Sequence, residues 1–344
     1  MRHPFEKAPF CLAAVLSLSA ARAATASDMF VYFGTHRSGA NAGFSLAHFD
    51  TDTGALTKPE FLLESPAPAY FVLHPDGRHL YACNSGDAAT VSAYEIEPHT
   101  GHLTFLNRAA TGGGDTSYIS LDQTGRYALA ANYDGGSIAV FALKPDGGFG
   151  ERTAFVQHTG SGVNPQRQSH PFAHSIITDP DNKFALVADL GLDKILVYRF
   201  DALITEMGST ILAFNWNPTN GALAQFQSVS TLPEGFQGAS TCAEMLVHPN
   251  GKFLYGSNRG DDSLVVFAID PTSGRLALVQ RAPSGGRTPR NFAFDPTGKW
   301  ILCTNHGSDN AVVFRVDEST GRLTQTGQPV SVPYPFCERF LPVR

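Results

Sequence analysis

Residues 166–193 read QRQSHPFAHSIITDPDNKFALVADLGLD. The second half is regular: a polar Asp-Pro-Asp-Asn turn from Asp179, then a short apolar run that ends on an acid. The first half is irregular, with Arg167, His170 and His174 placed just ahead of that turn. Working outward, the regular half recurs. The chain repeats it as HPDGRHLYA from His74, DQTGRYALA from Asp122 (Gln in place of Pro), HPNGKFLYG from His248 and DPTGKWILC from Asp295. A proline or glycine turn that leads into a run of β-branched and aromatic residues predicts a tight turn feeding a strand.

A second glycine turn follows the first around the chain, as DTDTGALT, EPHTGHLT, KPDGGFG, NPTNGALA, DPTSGRLA and DESTGRLT. Its glycines, taken as Gly54, Gly101, Gly148, Gly221, Gly274 and Gly321, are separated by 47, 47, 73, 53 and 47 residues. Between the two turn types lie seven apolar strand pairs, beginning with VYFGTHRSGANAGFSLAHFD and ending with LCTNHGSDNAVVFRVD. A period near 47 with short alternating strands predicts an all-β propeller of seven four-stranded blades. The step of 73 is too long for one blade and too short for two, so the fifth copy is expected to be a shortened blade that lacks its inner strand and first turn. A six-bladed ring with an insertion is the alternative. The first copy has no preceding proline-type turn, and PVSVPYPFCERFLP can supply its inner strand, closing the ring with N- and C-terminal strands and leaving no open edge.

Composition sets the class. The 344 residues are 42% hydrophobic, rich in Gly, Pro and Phe, and carry a net charge of −6. That balance argues against a nucleic-acid partner, which selects for a basic face. Arg2 and Lys7, an apolar run over 9–21 and small residues to Ala26 predict a cleaved signal peptide over 1–26 and export to the periplasm or beyond. The run is too short to span a bilayer, so no membrane contact is expected after cleavage. Residues 27–344 are expected to form one propeller domain. Cys83, Cys242, Cys303 and Cys337 lack CxxC spacing and read as buried free thiols rather than disulfides or zinc ligands.

In a propeller the innermost strand of each blade begins at one mouth of the central channel, and the turn between the second and third strands returns there. The inner-strand starts are Tyr70, Tyr118, His174, Glu244 and Arg290. The returning turns bring Asn84, Asn132, Asp189, Glu206, Asn258 with Arg259, and Asn305. The recurrent asparagines read as turn formers, and so does Asp189. His74 and His248, at the repeat's own Asp position, read as structural. His174 titrates in the range useful for activating water, and arginines suit a carboxylate or a developing oxyanion. No phosphate loop, HExxH, paired-cysteine or GxSxG motif occurs, so neither a cofactor nor a metal is called for.

The runs GRYALAANYDGGSIAVFAL, HSIITDPDNKFALVADLGLDKILVYRFD, STLPEGFQGASTCAEMLVHPNGKFLYGSNRGDDSLVVFAID and GGRTPRNFAFDPTGKW resemble the lactonase family of seven-bladed β-propellers. Its members include bacterial 6-phosphogluconolactonase, with fungal carboxy-cis,cis-muconate cyclase as a relative. The resemblance covers nearly all of residues 27–344. It implies hydrolysis of a sugar-acid or related small-molecule lactone, with His174, Glu206 and Arg259 as catalytic residues and Arg290, Glu244, Tyr118 and Tyr70 as substrate-binding residues. Two departures stand out. The family's His-x-His is here His170-Pro171-Phe172-Ala173-His174, and its Gly-Pro-Arg-His run falls in the missing part of the fifth copy. A lactonising cyclase and a non-catalytic binding propeller remain as alternatives. Phosphorylated sugar lactones are cytosolic, so export favours an unphosphorylated lactone.

Overall fold

The computed structural model describes residues 28–36, 42–85, 89–198, 210–217 and 222–343. They form an all-β propeller, with short antiparallel strands gathered into seven sheets in chain order. The first sheet holds β1 (Asp28–Thr35), β2 (Gly43–Asp50) and β3 (Glu60–Glu64), with the last strand β25 (Pro335–Pro342) paired along β1. The second holds β4 (Tyr70–Leu73), β5 (His79–Asn84), β6 (Thr90–Ile96) and β7 (Leu103–Ala110). The third holds β8 (Thr116–Leu121), β9 (Tyr127–Asn132), β10 (Ser137–Leu143) and β11 (Phe149–Gln157). The fourth has three strands, β12 (Ala173–Thr178), β13 (Ala185–Asp189) and β14 (Lys194–Tyr198). The fifth has two, β15 (Thr210–Asn217) and β16 (Ala222–Ser230). The sixth runs β17 (Thr241–Val247), β18 (Phe253–Arg259), β19 (Ser263–Ile269), β20 (Leu276–Pro283). The seventh runs β21 (Pro289–Phe294), β22 (Trp300–Asn305), β23 (Asn310–Val316), β24 (Leu323–Ser331).

The two predicted turn types build these sheets for stated reasons. In the first, Gly77, Gly125, Gly251 and Gly298 take left-handed φ of +67 to +74°, and Asn182 does so at 57° in the copy without glycine. Glycine and asparagine are the residues that tolerate that region. The acid at the head of the turn caps it: Asp122 accepts from the backbone N–H of Arg126 and Tyr127, and Asp295 from that of Trp300. His248 does the same work through Nδ1, which accepts from Asn250 N–H, and Nε2, which lies 2.9 Å from the Gly298 carbonyl. In KPDGGFG the left-handed residue is Gly147 rather than Gly148, because that turn is one residue shorter. Gly221 and Asp201 lie outside the described residues.

The apolar faces meet in the seams between sheets. One cluster packs Phe253, Tyr255 and Leu264 of the sixth sheet on Phe292, Ile301 and Phe314 of the seventh. Another packs Met29, Phe33 and Phe49 of the first sheet on Trp300 and Leu302 of the seventh. Trp300 Nε1 also donates to the Thr51 carbonyl at 2.8 Å, spanning 249 residues of sequence. Burying a large aromatic stabilises such a seam by about 1.5–3 kcal/mol. Among the described residues Cys83, Cys242, Cys303 and Cys337 are free thiols, and all but Cys242 are buried. Among the described residues the fourth sheet has three strands and the fifth has two, and residues 199–209 between them lie outside the described residues.

Candidate active site

The first strands of successive sheets touch, β25 against β4, β4 against β8, β8 against β12, and β17 against β21 against β25. Their starts enclose a cavity of about 170 Å³. Its wall includes Tyr70, Tyr118, His174, Glu244 and Arg290, five of the seven residues singled out from sequence, together with Ser117, Asn291 and Phe336. Arg259 is not in the wall. It ends β18, and its Nη2 donates to the Cys242 carbonyl at 2.7 Å. Glu206 lies outside the described residues.

The register of the first strands explains how side chains reach the cavity. Pairing slips between Thr116 and Tyr118, between Ala173 and Ser175, between Cys242 and Met245, and between Pro289 and Asn291. The residues passed over are Ser117, His174, Ala243 with Glu244, and Arg290. A β-bulge of this kind leaves its extra residue unpaired in the ladder and re-aims its side chain. Four sheets thus use one device at one level of the channel.

Beneath that level lies a buried polar network. Tyr70 and Tyr118 stack with ring centroids 4.2 Å apart, and their hydroxyls are 3.3 Å apart. Burial pushes the Tyr118 phenol up to about 12. Asn291 Nδ2 donates to Glu244 Oε2, and Asn291 Oδ1 accepts from Arg339 Nη1 at 2.9 Å. Met245 N–H donates to Glu244 Oε1 at 3.0 Å. Burial raises the Glu244 carboxyl above its ordinary range, opposed by the Arg339 charge and these donors. Glu338 is fully buried, and burial carries its carboxyl up to about 8 although Thr304 donates to Oε2 at 2.7 Å. Among the described residues its Oε1 has no hydrogen-bond partner. Arg339 also lies over Tyr70, 4.9 Å from the ring centroid, so one cation serves both carboxylates and the aromatic pair.

The mouth is aromatic and basic. Arg290 lies 4.3 Å from the Phe336 ring centroid, His36 stacks on that ring at 4.6 Å, and His306 meets it edge-on at 5.2 Å. Burial holds both histidines below the usual imidazole range, reinforced by Arg290. His174 packs edge-on against Tyr133 at 5.6 Å, and its carbonyl accepts from Ser117 Oγ at 3.2 Å. His170 and Arg167 are exposed on the 159–169 loop and beyond it, outside the cavity wall.

The recurrent asparagines are buried turn formers, as their repetition implies. Asn132 and Asn258 donate to Ser137 and Ser263, and Asn305 to the Ser284 carbonyl. Asp189 holds its own turn and takes a further partner. It accepts from Phe172 and Leu192 N–H through Oδ1, while Oδ2 lies 2.5 Å from His158 Nδ1, with both side chains fully buried. His158, Glu338 and Arg339 escaped the sequence reading. The signal for the last two was a pair of adjacent charges inside an otherwise apolar strand.

Comparison with known proteins agrees with this geometry. The family described as "Lactonase, 7-bladed beta-propeller" matches residues 30–203 and 203–340. A 6-phosphogluconolactonase from Bacillus subtilis is 33% identical over 341 residues, covering 90% of this chain and 97% of the relative. One from Formosa agariphila is 28% identical, covering 74% and 82%. The structure of a periplasmic gluconolactonase from Pseudomonas aeruginosa superposes with a TM-score of 0.86 at 31% identity, covering 92% and 100%. With a family match along almost its whole described length and relatives aligned nearly end to end, the chain belongs to the lactonase family of seven-bladed β-propellers.

Proposed function

We propose that this protein hydrolyses a sugar-acid lactone to the open hydroxy acid, in the cavity at the channel mouth. The observation that carries the reading is the convergence of His174, Glu244 and Arg290 from three separate strands on one cavity. It agrees with the names of the relatives. In this reading His174 takes a proton from water as its oxygen attacks the lactone carbonyl. Arg290 faces the carbonyl oxygen as it gains charge. The ring C–O bond then breaks. Glu244, whose proton burial retains to higher pH, supplies a proton to the departing alkoxide. Tyr70 and Tyr118 contact the substrate from the wall. Arg259 acts one step back by holding the Cys242 carbonyl at the bulge that presents Glu244. Glu206 stays a candidate for orienting His174.

The ring is read as seven blades, closed where β25 pairs with β1, with the fifth blade short of its inner strands. Ile211, Leu212 and Phe214 of β15 line the cavity, which supports that reading. Export through residues 1–26 places the enzyme in the periplasm and favours an unphosphorylated lactone such as gluconolactone.

A pH-stat assay with glucono-1,5-lactone and its 6-phosphate tests the function. Acid release above the spontaneous rate is expected, faster with the unphosphorylated compound. No release above background from either lactone would leave a binding propeller as the better reading. The mass of the protein recovered from the periplasm tests cleavage near Ala26.

A further inference from the structure

The first-type turn in the second sheet combines a histidine head, an acid two positions on and a second histidine, a set that none of its four counterparts repeats. The residue that opens the second strand is aromatic elsewhere: Tyr127, Phe184, Phe253 and Trp300. Here it is His79. Two positions into the turn stands Asp76, where the other histidine-headed turn has Asn250. His74, Asp76 and His79 form, among the described residues, a group of three ligand side chains with donor atoms within 4.8 Å of one another.

The geometry is that of a preset ligand set. Asp76 Oδ2 lies 2.9 Å from His74 Nδ1 and 2.8 Å from His79 Nδ1. Each ligand is also fixed from behind. Asp76 Oδ1 accepts from Arg78 N–H at 2.7 Å. His74 Nε2 lies 2.9 Å from the Gly125 carbonyl, which requires a proton on Nε2 and leaves Nδ1 turned toward the carboxylate. A backbone carbonyl on the far nitrogen is the usual support of a metal-bound histidine. The His79 ring is walled by Gly147, at φ +82°, where a Cβ would fall 2.2 Å from Nε2. Asp76 N–H also points at His74 Nδ1, 3.2 Å away. An imidazole nitrogen and a carboxylate at that separation share a cation, and the place that a proton takes there is one that a metal ion can take instead.

We propose that His74, Asp76 and His79 bind a divalent first-row transition ion, with zinc the natural probe for two imidazoles and one carboxylate. The site is structural. None of the three lines the cavity, and the four residues of β4 place about 13 Å between Tyr70 at the mouth and the turn. Bound there, the ion clamps the β4–β5 turn to the neighbouring sheet through Gly125. His248 shows why the pattern needs all three: it makes the same contact to Gly298, but Asn250 and Phe253 give it no partner ligands.

The test uses tag-free, chelator-treated full-length protein titrated with zinc by calorimetry and followed by thermal melting. The repeat itself supplies two fold-compatible variants, His79→Phe, copying Phe253, and Asp76→Asn, copying Asn250, whose side chain still caps the turn. The wild type is expected to bind one equivalent and to melt higher with zinc. Each variant should bind at least tenfold more weakly and show no shift in melting. Equal zinc uptake by wild type and both variants, or none by the wild type, overturns the proposal.

Discussion

The guanidinium of Arg339 lies over the ring of Tyr70, 4.9 Å from its centroid, and donates to Asn291, which in turn donates to Glu244. Removing that charge takes away the cation that opposes the cost of burying the Glu244 carboxyl. Loss of one member of a buried ionic set costs about 3–5 kcal/mol. Arg339→Met is expected to lower the melting temperature markedly and to cut lactonase turnover at least tenfold. Arg339→Lys, keeping the charge, should recover most of the stability. Equal melting of Arg339→Met and wild type would contradict the network.

Glu338 makes stability depend on pH with a definite sign. Its folded carboxyl is raised from 4.5 to about 8, so between those values the folded state holds a proton that the unfolded state has released. Stability therefore falls as pH rises through that window, by about 1.4 kcal/mol per unit at most from this group. Glu338→Gln, which can still accept from Thr304, should flatten the decline. Melting curves between pH 5 and 8 check it; parallel slopes for the two proteins would refute it.

His158 and Asp189 stand where other sheets use a backbone carbonyl and an asparagine: the carbonyls of Thr231 and Ser284 accept from Asn258 and Asn305. Breaking only one half of a buried pair is costly, whereas exchanging both halves restores a neutral contact. His158→Thr and Asp189→Asn should each destabilise by about 3 kcal/mol. The double variant should melt closer to wild type than either single one. Simple additivity in chemical denaturation would show that the two residues are not coupled.

At the mouth, geometry separates the two arginines. Arg290 lines the cavity, while Arg259 holds a carbonyl behind it. His174→Ala and Arg290→Gln are expected to reduce kcat/KM at least tenfold with little change in melting. Arg259→Gln should cost less in kcat/KM and more in stability. The reverse order, measured on gluconolactone, would return Arg259 to the front of the site.

The turns and their period were legible because glycine, asparagine and proline have few conformations to choose from. Gly77, Gly125, Gly251 and Gly298 could be placed from sequence for that reason. The strand starts were legible as well, and Tyr70, Tyr118, His174, Glu244 and Arg290 meet as expected. The bulges were not. A one-residue slip at Ser117, His174 or Arg290 leaves no mark in composition, yet it selects which neighbour faces the cavity. His158 was hidden for another reason: its partner lies in the next sheet, 31 residues away. Arg339 was hidden because no proline-type turn comes after β25, so its register could not be aligned with the other first strands.

Strand β25 brings Phe336 to the cavity wall and Arg339 to the ground beneath it, and it is held by pairing with β1. The site therefore depends on a strand late in the sequence being stitched to one early in it. A chain cut before Pro335 keeps His174 and Glu244 but loses the Arg339 charge that acts on Glu244. Turnover in this protein is a report that β1 and β25 have met.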